Sequence, residues 1–347
     1  MELSKTFRLD ETGYVLLQEL ILERIEKDID NEEKELDIQK DKEIETIGKS
    51  GFFNSIKQNR INNAITKIEK RIEKKELWMD KWYDQNLPSS SSNIICSIDD
   101  LINNFKNSEI GKAQLFLILQ EIVHTPIYYA HDSLEAAGKE VDFEGTINDI
   151  SKRMGLNDLG LQIIKNTKLF YKDVKKESTS ILKWGIYGLM GASAIAIILA
   201  MPVIAPAIGG LMGLSGAAAT ASGLAILGGG SIAAGGLGMA GGMTLLAGGS
   251  GILGAIAGGA AGKLLSQLPQ ETIALNVIKV VNLIIYLNSN NGISKHYSDE
   301  LLTEAKMLFI EFKQATEKEL VINGINKDKK EIIQLLDILN VGLKRII

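Results

Sequence analysis

The chain has 347 residues, of which 45% are hydrophobic and 23% are charged, close to the averages of soluble proteins. Its formal net charge of −5 argues against a nucleic-acid-binding protein that works through a basic surface. The single cysteine, Cys96, excludes an intramolecular disulfide, a structural zinc cluster and an iron–sulfur centre.

The first part of the chain predicts a helical hairpin. Two apolar stripes recur at spacings of three and four residues, the pattern of a coiled-coil-like seam. The stripes consist of Leu17, Leu20, Ile21, Ile25 and Ile29, and of Ile61, Ile65, Ile68 and Ile72. Gly48 and Gly51 lie between the stripes and predict the bend. Charges alternate in sign from Glu23 to Glu45, which indicates a solvated helix face.

A second helical region follows a polar break, Pro-Ser-Ser-Ser-Ser-Asn, at residues 88–93. Ser97 precedes Asp99, Asp100 and an apolar run, a pattern that predicts a helix N-cap at the serine. Further helices are expected as far as Leu169.

This region also contains a cluster of potential metal ligands. Glu121 and His124 are three residues apart, and His131 and Glu135 are four apart, so each pair can share a helix face. Carboxylate-bridged di-iron bundles need two Glu-x-x-His pairs and two further glutamates. The chain offers one pair, and Pro126 interrupts the helix between the histidines. The pattern favours a polar helix corner, and we predict no metal, no cofactor, no catalytic residues and no enzyme activity.

The centre of the chain is an uncharged run. Trp184 to Gly262 contains no Asp, Glu, Lys, Arg or His over 79 residues, and it holds 23 of the 34 glycines. A helix needs about 20 apolar residues to cross about 30 Å of hydrocarbon, so the run can supply two to four spans. The alternative is a buried hairpin inside a soluble helical protein, either permanently or as a storage state before insertion.

Several positions in the uncharged run are predicted to serve membrane insertion and helix packing. Trp184 and Tyr187 stand at its entry, where interfacial aromatic residues are found, and Pro202 and Pro206 end or kink a first helix. Four glycine pairs have the G-x-x-x-G spacing that lets membrane helices approach closely. These pairs are Gly209 and Gly213, Gly238 and Gly242, Gly254 and Gly258, and Gly258 and Gly262.

Two glycine motifs in the run resemble nucleotide-binding loops and are rejected. The G-x-G-x-x-G matches at Gly236 and Gly249 have no preceding strand pattern, and no acidic residue follows either of them before Glu271. Lysines precede Trp184, as expected either of a positive membrane flank or of a solvated lysine-rich helix. They are Lys165, Lys168, Lys172, Lys175, Lys176 and Lys183.

The last part of the chain predicts three more helices. Pro269 suits the first turn of a helix whose apolar stretch, Ile273 to Leu287, fits either a bilayer or a soluble core. Residues 298–320 and 327–346 predict two amphipathic helices. No segment has a convincing strand pattern, so the predicted class is all-α: an elongated helical bundle with a coiled-coil-like hairpin and a central Gly/Ala-rich hydrophobic membrane-inserting helical segment.

These patterns predict four domains. They are a charged helical hairpin at 1–87, a helical bundle at 94–180, the hydrophobic membrane segment at 184–262, and C-terminal helices at 267–347.

Long charged helices around an uncharged glycine- and alanine-rich segment resemble the α-helical pore-forming toxins of the cytolysin A and haemolysin BL type. In that family a helical bundle conceals an apolar hairpin, which swings out, inserts and oligomerises into a pore. The resemblance lies in layout alone, the apolar segment here is longer, and the N-terminus shows no export signal. The segment by itself is also similar to the membrane region of the transmembrane and coiled-coil domain protein family, whose hydrolase domain is absent from this sequence.

The sequence therefore predicts a membrane-inserting, pore-forming helical protein, such as a toxin or a cell-killing or defence effector. Its expected partners are the lipid bilayer, further copies of itself and a partner protein, with no nucleic acid. The expected location is membrane-associated without a Sec signal peptide, as a cytoplasmic soluble form or in the inner membrane, with non-classical release left open. The alternatives are a constitutive membrane-anchored adaptor whose charged helices bind a partner protein, and a soluble structural bundle with a glycine-rich core.

Overall fold

The computed structural model describes residues 11–48, 51–86, 97–125, 127–128, 140–177, 270–289 and 329–346, together with scattered positions between 293 and 321. These described residues are 87% helical and contain no strand, so the predicted all-α class is confirmed for them. The uncharged run and residues 88–93 lie outside the described part of the chain.

The first two helices form the predicted hairpin. Helix α1 is Glu11–Thr46 and helix α2 is Phe52–Asn86, and the two helices pack against each other. Gly48 and Gly51 occupy the turn with φ angles of 82° and 131°, a backbone region that residues with a Cβ atom rarely adopt. The two apolar stripes are buried in most of their length. The bend and the seam are therefore where the sequence predicts them.

Four shorter helices follow the hairpin. They are α3 (Ile98–Lys106), α4 (Glu109–His124), α5 (Phe143–Arg153) and α6 (Leu159–Glu177). Ser97 caps α3 as predicted: its hydroxyl accepts from the Asp100 backbone N–H, and the Asp100 carboxylate accepts from the Ser97 N–H in return. Arg153, at the end of α5, donates to Asp99 of α3 over 2.8 Å and so joins the two elements.

The helices beyond the uncharged run return to the same core. Helix α7 is Gln270–Asn288 and helix α8 is Lys329–Leu343. Val277, Ile278 and Val281 of α7 are fully buried, and the Tyr286 ring stacks on Phe116 of α4 with centroids 4.0 Å apart. The stretch that fitted either a bilayer or a soluble core thus lies in the core. The described positions between 295 and 321 are helical, and α8 matches the predicted last helix.

Among the described helices, none combines the length and the apolar character that crossing a membrane requires. One hydrophobic cluster extends from Val15 of α1 to Ile293 and includes side chains of α1, α3, α4, α5, α6 and α7. The helices on both sides of the uncharged run therefore belong to a common packed core.

Candidate functional site

Every residue assigned to membrane insertion and helix packing lies outside the described part of the chain, so these assignments stay predictions. They are Trp184, Tyr187, Pro202, Pro206, Gly209, Gly213, Gly238, Gly242, Gly254, Gly258 and Gly262. The structure describes instead the two helices next to that region in sequence, α6, which ends at Glu177, and α7, which begins at Gln270.

Helices α6 and α7 pack against each other and are joined by a polar contact. Asn166 Nδ2 of α6 donates to Asn282 Oδ1 of α7 over 3.2 Å. Asn282 is buried, and among the described residues no partner is found for its Nδ2 atom. Because a buried carbonyl oxygen is costly to leave without a hydrogen bond, the contact at Asn282 Oδ1 favours this pairing of the two helices.

A buried ion pair ties α7 to α4. Lys279 Nζ donates to both carboxylate oxygens of Glu121, over 2.8 Å and 2.6 Å, and both side chains are almost completely buried. The Glu121 carboxylate is therefore committed to an ammonium group. Separating such a pair would leave a charge in the core, at a cost of about 3–5 kcal/mol.

His124, the second member of the predicted corner, connects α4 to α6. Its Nδ1 lies 2.7 Å from the Gln120 carbonyl oxygen and its Nε2 lies 2.9 Å from the Thr167 hydroxyl. Since a carbonyl oxygen only accepts, Nδ1 carries the proton, and with a neutral ring the Thr167 hydroxyl donates to Nε2. Burial, and then the positive charges of Lys279 and Arg24, lowers the pKa of His124 to about 3 in spite of the Gln120 contact. The imidazole is neutral in the folded protein.

The polar corner is thus a structural junction of α4, α6 and α7. In the described part of the chain, no three His, Cys, Asp or Glu side chains are grouped so as to hold a metal ion. His131 and Glu135 lie outside the described residues, so their predicted pairing stays a prediction. Helix α4 ends at His124, two residues before Pro126.

A larger group of buried and partly buried charges, the ionic cluster, lies between the hairpin and the segment after α4. It consists of Arg24, Asp28 and Glu32 of α1, Arg71 and Lys75 of α2, and Glu140. The side chain of Lys75 is completely buried, and its Nζ donates to Asp28 over 2.6 Å and to Glu32 over 2.9 Å. This contact crosses from one arm of the hairpin to the other.

Glu32 receives a second cation from α2. Arg71 Nε and Nη2 donate to the two carboxylate oxygens over 2.8 Å and 2.7 Å, a bidentate arrangement. Burial by itself raises the pKa of Glu32, but the hydrogen bonds from Arg71 and Lys75 outweigh it, and the net pKa is lowered. Glu32 is therefore ionised, and its charge is matched inside the hairpin.

Arg24 connects the hairpin to the chain that follows α4. The guanidinium pairs with Glu140, donates to the Thr125 carbonyl oxygen over 2.6 Å and to the Ile122 carbonyl oxygen, and lies 4.8 Å from the centre of the Phe143 ring. The side chain is 1% exposed. Because the Ile122 and Thr125 carbonyls lie at the C-terminal end of α4, Arg24 also caps that helix.

Asp28 and Tyr128 complete this connection. The Val141 backbone N–H donates to Asp28 Oδ1 over 2.7 Å, and Lys75 Nζ lies 5.0 Å from the centre of the Tyr128 ring. Burial, followed by the negative charge of Asp28, raises the pKa of Tyr128 well above its ordinary value. The ionic cluster therefore fastens both arms of the hairpin to the end of α4, to Tyr128 and to residues 140–143.

The ionic cluster corrects one reading of the sequence. Alternating charges from Glu23 to Glu45 indicated a solvated face, but Arg24, Asp28 and Glu32 are buried. They recur every four residues directly beside the stripe Ile21, Ile25, Ile29, and this position next to an apolar seam is the signal that was missed. Glu23 and Lys27, which belong to the same stretch, do form a partly exposed i,i+4 pair at 3.3 Å.

No protein-family model, curated protein or solved structure matches this chain.

Proposed function

We propose that the protein inserts into membranes through Trp184–Gly262 and permeabilises them as an oligomer. The observation that carries the proposal is the 79-residue run without a single charge, joined at both ends to charged helices. Because unpaired backbone groups are so costly in hydrocarbon, helix is nearly the only conformation that such a run can adopt in a bilayer.

The contacts of the helices beside the run support a proposal in which only the run enters the membrane. Contacts to α4, α7 and α8 hold α6 within the packed core. In this proposal the packed helices are the part of the protein that stays outside the bilayer. Asn166–Asn282 joins α7 to α6 and Glu121–Lys279 joins α7 to α4, so α6 and α7 stay in the core when the run moves from protein to lipid. Because α6 and α7 stay packed in the core on the two sides of the run, only the inserted segment moves from protein to lipid.

The charge of α6 suits a position near a bilayer surface. Its exposed lysines include Lys165, Lys172 and Lys175. The two acidic residues of its last turns, Asp173 and Glu177, pair with Arg345 and Lys344 beyond α8. Basic residues next to an apolar segment are attracted by anionic lipid headgroups, by about 1 kcal/mol each at the surface.

The mechanism of insertion has three steps. The run becomes exposed, buries its apolar surface in lipid, and packs helix against helix where paired glycines, such as Gly209 with Gly213 and Gly238 with Gly242, allow close approach. Oligomerisation then surrounds a passage lined by small residues. The packed helices remain in water in this mechanism, because their surfaces are rich in charge.

Dye release from lipid vesicles by the purified full-length protein tests this proposal. Ile197→Asp places a carboxylate in the most lipophilic part of the run, where a charge at the centre of a spanning helix costs about 3 kcal/mol. We expect release by the wild-type chain and at least about tenfold slower release by Ile197→Asp. Val321→Asp, at an exposed position outside the run, is the matched control and is expected to behave as wild type.

Absence of leakage at every pH and lipid composition contradicts pore formation. If the protein then co-purifies with membranes from its first synthesis, it is the membrane-anchored adaptor. If it remains a monomer without membrane affinity, the run belongs to a soluble core.

A further inference from the structure

The turn of the hairpin exposes large apolar side chains that the rest of the described structure leaves uncovered. We call this group the apolar tip. It consists of Ile44 and Ile47 before the turn and of Phe52, Phe53 and Ile56 after it, with exposed fractions of 67%, 61%, 76%, 84% and 36%. The two phenylalanine rings form an edge-to-face pair with centroids 5.9 Å apart. Contiguous apolar groups of this kind in water usually mark an interaction site.

The chain that follows α1 is basic on the α2 side of the apolar tip. No aspartate or glutamate occurs between Glu45 and Glu69, although the whole chain has 43 acidic residues. Lys57, Arg60 and Lys67 in this stretch are exposed on α2. The sequence also has Lys49 between Gly48 and Gly51. Glu43 and Glu45 flank Ile44 on the α1 side, so the basic, acid-free surface is that of α2, which carries both phenyl rings. Exposed phenyl rings beside basic side chains are the combination that binds an anionic lipid surface.

We propose that the apolar tip is a second membrane-contact site, which docks the protein on anionic lipid. The rings of Phe52 and Phe53 enter the boundary between headgroups and acyl chains, while Lys57 and Arg60 meet lipid phosphates. The proposal goes beyond pore formation, because tip docking needs nothing from residues 184–262. It assigns to the hairpin the first encounter with the membrane.

Charge and shape favour lipid over the other occupants. Two tips brought together in a dimer would place their basic residues side by side, which is unfavourable. A stable protein partner buries about 800 Å² on each side. The apolar tip has only five apolar side chains at the convex end of a two-helix hairpin, which is a small surface for such a partner. A bilayer surface accepts a convex apolar end directly and supplies the opposite charge.

Vesicle flotation with the full-length protein tests the docking. The vesicles are phosphatidylcholine alone, or phosphatidylcholine with about one quarter phosphatidylglycerol. We expect Phe52→Ser/Phe53→Ser to weaken binding to the anionic vesicles at least about tenfold, and Lys57→Glu/Arg60→Glu to weaken it strongly at low salt. All four positions are exposed, so an unchanged circular dichroism spectrum and urea midpoint are expected.

The matched control is Leu77→Ser/Tyr83→Ser on the same helix. These side chains are also more than half exposed, but Tyr83 lies about 45 Å along α2 from Phe53. The control is expected to bind as wild type, which separates an effect of the tip from a general loss of surface apolarity.

The same comparison in the Ile197→Asp chain keeps the two proposals apart. If the phenylalanine variant loses anionic binding in that background, the tip docks independently of insertion, even if no chain releases dye. If the variant floats as well as the control in both backgrounds, the docking proposal is overturned, whatever the leakage. It is also overturned if the variant floats normally but loses self-association or binding to a soluble acidic protein.

Discussion

Replacing Lys75 by methionine tests whether the ionic cluster holds the hairpin. Lys75→Met keeps most of the aliphatic side chain but removes the ammonium from between Asp28 and Glu32. Breaking a buried ion pair costs about 3–5 kcal/mol, because a charge is left in the core. Here Glu32 keeps two hydrogen bonds from Arg71, and Asp28 keeps one from the Val141 N–H. We therefore expect the lower end, a loss of about 3 kcal/mol in the free energy of unfolding.

The matched control is Lys40→Met. Lys40 also pairs across the hairpin, with Glu69 at 3.7 Å, but about half of each side chain is exposed. Exposed pairs contribute little, so a loss of about 0.5 kcal/mol is expected. Urea unfolding followed by far-UV circular dichroism gives both values. Equal losses for the two variants would refute the claim that the buried cluster holds the hairpin.

The pH dependence gives a second readout of Lys75→Met. In the wild type the pKa of Glu32 is lowered, so its contribution to stability is present above the ordinary value of 4.5 and is lost as pH falls through the folded pKa. Without Lys75, fewer hydrogen bonds counteract the rise that burial causes in the pKa of Glu32, so this pKa is higher than in the wild type. Protonation then removes a negative charge that Lys75 no longer balances. The stability difference between wild type and variant is therefore expected to shrink from neutral pH towards pH 4. A difference that grows on acidification would contradict this reasoning.

Two further predictions concern the junctions of the smaller helices. The pKa of His124 is lowered from 6.5 to about 3, so its contribution is complete above pH 6.5 and is lost progressively as pH falls towards 3. His124→Gln is expected to lose roughly 2 kcal/mol less stability than wild type between pH 7 and pH 5 in urea titrations, and parallel curves would count against a buried neutral imidazole. Gly160→Ala places a Cβ 2.7 Å from Cγ2 of the buried Ile147, so calorimetry is expected to show a loss of about 1–3 kcal/mol, although alanine favours helix. A gain in melting temperature would show that α5 and α6 yield at this contact.

Local signals in the sequence predicted the elements that depend on neighbouring residues. Gly48 and Gly51 bend the hairpin and Ser97 caps α3, because a positive φ and an N-cap need only a few adjacent positions. Hydropathy alone did not decide whether α7 lies in a bilayer or in a protein core, since the same apolar stretch fits both. Its burial follows from packing on α4 and from the Glu121–Lys279 pair, which joins residues 158 positions apart.

The pairing inside the ionic cluster could not be predicted from the sequence for the same reason. Arg24 and Glu140 are separated by 116 residues, and Asp28 and Lys75 by 47, so the partners become neighbours only after the helices pack. The position of the α1 charges beside the apolar stripe indicates their burial, but the charge pattern does not show which charges they pair with. The apolar tip is the opposite case, since Phe52 and Phe53 adjoin a predicted turn and their exposure follows from the bend itself.

The two residues of the Glu121–Lys279 pair are synthesised at different times. A ribosome adding about 5–20 residues per second makes Lys279 roughly 8–30 s after Glu121, and the whole run Trp184–Gly262 is made within that interval. Helix α4 therefore emerges with a carboxylate that has no cation yet, and the core stays open while the apolar run is already outside the ribosome. The nascent chain must be kept from aggregating for seconds before α7 arrives to close it.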